Sequence, residues 1–159
     1  EITVRDWSSD VCSSDLPLRY AAADRSARRL AEWAARQAPF AQVLHPALPA
    51  SPGHAHWQAV CGAADAAGQG AAASLFSVVI DEKFSREQVD AFCDALRLFR
   101  IGYSWGGPFS LVMPYELQTM RHDWPAHLAR GTLVRFAIGL EDTADLQGDL
   151  QHAMQQTLA

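Results

Sequence analysis

Across residues 17–37 small and apolar side chains recur on one helical stripe, Tyr20, Ala23, Ala27, Leu30 and Ala34. Asp24/Arg28 and Glu32/Arg36 stand four apart, the spacing at which opposite charges support a helix, and Pro17 suits its first turn. AQVLHP (41–46) reads as a short strand stopped by Pro46, after which LPASPGHAHW is turn-rich and His54 begins a short helix. LFSVVI (75–80) predicts a strand from its β-branched and aromatic content. The helix predicted over 85–98 opens with the capping-box pair Ser85 and Gln88 and buries Val89, Phe92, Cys93 and Leu96. FRIGYSW (99–105), SLVMP (110–114) and TLVRFAIG (132–139) read as strands. Asp142 then caps a last helix facing inward through Leu146, Leu150, Ala153 and Met154. Strands that return with helices between them imply an α+β fold. The expected form is a two-layer sandwich of a small mixed or antiparallel sheet with helices on one face, preceded by a long helix.

Composition narrows the partners. At 159 residues the chain forms one core, and its net charge of -5 leaves no basic footprint for nucleic acid. No apolar run reaches the roughly 20 residues of a membrane span. Cys12, Cys61 and Cys93 are odd in number and widely spaced, which points to neither a disulfide framework nor a thiolate metal site and fits a reducing cytoplasm. CGAADAAGQGAAAS (61–74) is Ala/Gly-rich and reads as a surface loop. Residues 1–16 are rich in Ser and Asp and differ abruptly in composition from the Ala/Arg-rich helix beginning at Pro17. Back-translated, residues 6–16 read as a common short-read sequencing adapter, so 1–16 are expected to be a non-native tail and 17–159 the domain.

Chemistry concentrates in two stretches. In IGYSWGGPFSL (101–111), Ser104, Trp105, Gly106 and Gly107 stand between apolar runs, a combination that core packing explains poorly. Arg135 interrupts LVRFAIG, where a guanidinium needs an anion; its planar fork suits a carboxylate ligand, though a solvent-facing position or an ion pair with Glu141 or Asp142 satisfies it equally. Six histidines raise the question of a metal, but His54 and His56 are two apart and no third ligand lies at a recognised spacing, so none is expected. His45 and His54 read as polar loop residues.

YSWGG (103–107) and LVRFAIGLED (133–142), in this order and spacing, resemble the C-terminal part of the cystathionine β-lyases, of the Cys/Met-metabolism family that uses pyridoxal 5'-phosphate. The likeness runs from about Pro17 to the end, through LRYAAADRSARRLAEW, VLHPALPASPGHAHW and ALRLFRIGYSWGG. It implies the small C-terminal domain of a fold type I enzyme. Trp105 favours a β-lyase, because the γ-synthases and γ-lyases usually carry Leu there. The resemblance further implies that Arg135 grips the substrate α-carboxylate with Trp105, that Ser104 positions that carboxylate and the reactive lysine, and that Gly106 and Gly107 turn the loop. Tyr103 lines the pocket or serves as a core tyrosine. Phe109 stands where many relatives have Glu, and Ser74 where they often have Gly.

Pyridoxal phosphate chemistry requires a lysine that holds the cofactor covalently and shuttles the Cα proton. Lys83 is the only lysine and lies in the polar turn DEKFS beside Asp81 and Glu82. By resemblance the reactive lysine belongs to an N-terminal domain preceding Pro17, so the fragment is expected to be inactive alone. The full-length enzyme is expected to be a cytoplasmic homotetramer cleaving cystathionine to homocysteine, pyruvate and ammonia. Related cysteine-conjugate β-lyase, methionine γ-lyase or γ-synthase activities, and a non-catalytic amino-acid-binding module, are the alternatives.

Overall fold

The computed structural model describes residues 15–62, 70–120 and 122–159. Most of the Ala/Gly loop (63–69) and of the expected tail (1–14) lie outside the described residues. The elements are α1 (Leu16–Ala34), β1 (Phe40–Leu44), α2 (His54–Cys61), β2 (Leu75–Asp81), α3 (Arg86–Ala95), β3 (Arg100–Ile101), β4 (Leu111–Tyr115), α4 (Leu117–Met120), β5 (Gly131–Ala137) and α5 (Thr143–Thr157). Of the tail's last two positions, Leu16 opens α1 and Asp15 pairs with Arg19 at 3.1 Å.

The strands form one sheet in the order β1-β2-β5-β4-β3, antiparallel except for the β3/β4 pair. Register decides the chemistry of its two faces. Phe76 and Val112 both sit opposite Phe136, and Val78 opposite Val134, which makes one continuous apolar face. All of these are buried, and α1, α3 and α5 contribute Leu30, Val89, Phe92, Leu146 and Leu150 to the same core. Phe76 and Phe136 stack at 5.0 Å, and Phe99 meets Phe136 edge-on at 5.4 Å. The opposite face carries the row Ser77, Arg135 and Met113, all half-buried. An α+β layer with its helices on one face is therefore the observed architecture.

Long-range contacts moved several boundaries. The helix expected over 85–98 stops at Ala95, because the Asp149 carboxylate on α5 accepts the backbone N–H groups of Arg97 and Leu98 at 2.8–3.0 Å. The strand expected over 99–105 is only Arg100–Ile101, and the chain from Gly102 to Phe109 is a loop. α1 ends at Ala34, and Tyr20, expected on its buried stripe, is exposed in its first turns beside a small cleft with Gly106 and Gly107.

His45, expected to be a polar loop residue, is fully buried. Its Nδ1 accepts the Ala47 N–H at 3.2 Å, so the neutral ring carries its proton on Nε2, which has no partner. Burial and then the nearby Arg28 cation lower its pKa to about 4, against an opposing pull from Asp24. A base whose pKa falls on folding stabilises the native state above its unfolded pKa of 6.5 and loses that stabilisation as pH drops toward about 4. Urea unfolding of the chain should therefore lose about 3 kcal/mol between pH 7 and pH 4 from this group. His45→Asn should remove that part of the pH dependence; an unchanged pH profile would place the imidazole in contact with water.

Candidate functional site

Three local features meet around Arg135. Its position on β5 turns the side chain onto the face of the sheet opposite the helices, and the loop following β3 passes over it. Nη2 of Arg135 donates to the Tyr103 carbonyl at 2.8 Å and lies 3.3 and 3.4 Å from those of Gly102 and Ser104. The guanidinium carbon lies 5.8 Å from the Trp105 ring centroid and 5.6 Å from that of Tyr115, within cation–π range of both. Tyr103 meets Tyr115 edge-on at 6.3 Å.

One buried donor is left over. Nε of Arg135 is buried and has no hydrogen-bond partner. A buried donor without an acceptor costs about 1–3 kcal/mol, more when the group is charged. Neither acidic neighbour considered from sequence supplies one: the Glu141 carboxylate is taken by Ser110, and Asp142 caps α5 through the Ala144 N–H at 2.7 Å.

Tyr103, Ser104, Trp105 and Arg135 thus come together, but through backbone carbonyls more than through side chains. Tyr103 is 68% and Trp105 63% exposed, so Tyr103 is no core residue. The glycines divide. Gly106 adopts φ +74, which favours glycine, whereas a Cβ on either Gly106 or Gly107 would meet nothing within 4 Å. Arg19 of α1 donates to the Gly106 carbonyl at 3.2 Å and ties the loop to the first helix. Phe109 is exposed under the Arg100 guanidinium at 4.8 Å.

Sequence reasoning missed Tyr115. The signal was present: Met113 and Tyr115 alternate on β4, and Met113 is the register partner of Arg135. Lys83 is exposed, beyond the Asp81/Gly131 end of the β2/β5 ladder, with its ammonium 4.9 Å from the Phe84 ring. Burial, with Asp90 and Asp94 nearby, pushes the Cys93 thiol up to about 12, which makes it a core side chain and no nucleophile. Among the described residues no group of three His, Cys, Asp or Glu side chains is placed to hold a metal, and no helix is long and apolar enough to cross a membrane.

Fold and site together define an α+β domain that holds a guanidinium, pinned by main-chain carbonyls, on the sheet face away from the helices. Residues 14–155 match the family described as Cys/Met metabolism PLP-dependent enzyme, and the chain belongs to that family. It is 38% identical over 128 residues to the cystathionine beta-lyase MetC of Escherichia coli K12, an alignment covering 79% of this chain and 30% of that protein. It is 33% identical over 129 residues to an L-alanine/L-glutamate racemase of Wolbachia pipientis wMel, covering 81% of this chain and 30% of that one. Among solved structures it superimposes with a TM-score of 0.68 on the cystathionine gamma synthase of Xanthomonas oryzae pv. oryzae, at 27% identity over 91% of this chain and 36% of that one. The chain therefore spans about 30% of the length of the curated relatives it matches.

Proposed function

We propose that this chain is the substrate-side part of a pyridoxal-phosphate-dependent carbon–sulfur lyase, and that Arg135 clamps the α-carboxylate of the amino-acid substrate. The single observation that carries this reading is a guanidinium met only by neutral carbonyls and rings, with the Glu141 and Asp142 carboxylates engaged elsewhere. A planar carboxylate arriving from outside neutralises a charge already held on one side by carbonyls and rings. Fixing the carboxylate fixes rotation about Cα, and orientation of this kind lowers a barrier without chemical participation. Ser104 and Tyr103 contribute their main-chain carbonyls to the clamp, and Trp105 its ring.

The family's cofactor, when bound, acts as an electron sink for the pair left at Cα of an amino acid. The described residues around Arg135 do not fit the cofactor itself: the only lysine is exposed at the far end of a strand ladder. Binding and orientation are therefore the work of these residues, and the chain by itself has no lyase activity. Cystathionine is the favoured substrate, because Trp105 stands in the loop and because cystathionine beta-lyases are among the similar proteins. The likeness to a racemase supports a second reading, proton exchange at Cα without loss of the Cβ substituent.

Products separate the readings. The full-length protein given L-cystathionine should release homocysteine, pyruvate and ammonia. Release of 2-oxobutyrate would indicate γ-elimination instead, and D-alanine from L-alanine with no keto acid would establish the racemase. Residues 17–159 alone should turn over neither substrate, and stoichiometric reduction of pyridoxal phosphate onto Lys83 with activity would overturn that expectation.

A further inference from the structure

The loop that covers Arg135 is stitched at both ends to one segment of chain. Its first end, Gly102 to Ser104, is held through its carbonyls by Arg135 on β5. Its second end is held just past the same strand. Ser110 donates its N–H to Oε1 of Glu141 and its hydroxyl to Oε2, both at 2.8 Å, while the Ser110 Oγ accepts the Gly139 N–H at 2.9 Å. The Leu140 N–H donates to the Pro108 carbonyl at 2.9 Å. Ser110 is fully buried, and a Cβ on Gly139 would lie 2.5 Å from the Pro108 carbonyl oxygen, so only glycine lets the two backbones approach this closely.

We infer that Glu141, acting through Ser110, is a positioning residue for the carboxylate clamp. Its two carboxylate oxygens satisfy both donors of a buried serine, whose oxygen in turn satisfies the Gly139 N–H. With this end fixed, the eight residues from Gly102 to Phe109 have little freedom, and the carbonyls and Trp105 ring stay where Arg135 needs them. Glu141→Ala leaves both Ser110 donors, the N–H and the hydroxyl, to find new acceptors, and the loop gains freedom at its second end. Glu141→Gln keeps one acceptor oxygen but turns the other into a donor facing the Ser110 hydroxyl.

This inference rests on the clamp reading of Arg135, and a double-mutant cycle separates the two. In the full-length enzyme Glu141→Ala should raise KM for cystathionine about tenfold or more and lower kcat with it, since small misplacements of a clamp cost on this scale. Glu141→Gln should fall between it and the wild type. In an Arg135→Ala background the same Glu141 substitution should change KM less than about twofold, because there is no clamp left to position. If the Glu141 effect persists undiminished without Arg135, or if Glu141→Ala leaves KM unchanged, the positioning role is wrong while the clamp stands. If Arg135→Ala is itself near wild type, the clamp reading fails first. Should Glu141→Ala not fold, Glu141→Gln carries the cycle, and a KM rise that vanishes with Arg135→Ala supports the inference while one that multiplies overturns it.

Discussion

Arg135→Ala in the full-length enzyme should lower kcat/KM for cystathionine by roughly thirty-fold to several thousand-fold. The substitution removes one partner of a charge-assisted contact in a partly desolvated site, a loss of about 2–5 kcal/mol, at about 1.4 kcal/mol per factor of ten. Arg135→Lys should recover only part of this, since an ammonium keeps the charge but neither reproduces the fork nor holds the Tyr103 carbonyl in the same plane. Binding of the cofactor, followed by its visible absorbance, should be unaffected. A purely structural arginine gives another pattern: removing its contacts to Gly102, Tyr103 and Ser104 would lower the melting temperature, and activity would fall only with the folded fraction. Measuring melting and turnover on one preparation decides between them, and a folded Arg135→Ala enzyme with near wild-type kcat/KM would remove the carboxylate clamp.

The next residue along β5 should behave in the opposite way. Phe136 points to the helical face, is fully buried, and contacts Phe76 and Phe99. Phe136→Ala should destabilise the chain by about 3–5 kcal/mol, the transfer of the ring plus the cavity left behind. Against a net stability of about 5–15 kcal/mol this removes a large part of the total, and the melting temperature should drop on the order of 10 °C. Phe136→Leu, which refills part of the volume, should cost clearly less. A loss under about 1 kcal/mol for the alanine variant would mean that the two faces of β5 have been assigned the wrong way round.

Those two neighbours show what the linear sequence carries. Alternation along LVRFAIG places Val134 and Phe136 on one face and Arg135 on the other, and the structure pairs them across the sheet accordingly. Ser85 with Gln88, and Asp142 with Ala144, cap their helices within three residues, so the beginnings of α3 and α5 were legible from sequence. The oddity of an arginine in an apolar strand and of YSWGG between two apolar runs was legible as well.

Partners distant along the chain decided the remainder. The end of α3 is set by Asp149, 52 positions from Arg97, and no local signal announces it. Residues 102–105, expected as strand, run as a loop, the carbonyls of Gly102, Tyr103 and Ser104 being claimed by a guanidinium 31–33 positions away. His45 follows a strand and precedes a proline, yet it is buried; Tyr115 joins the site only because β4 pairs with β5 in the register that sets Met113 against Arg135. Local patterns reach about one helical turn or a pair of strand residues, which suffices to determine the elements and their apolar faces here. The acceptors left for Arg135, the clasp of Glu141 on Ser110 and the burial of His45 depend on which strands become neighbours, and only the assembled sheet decides that.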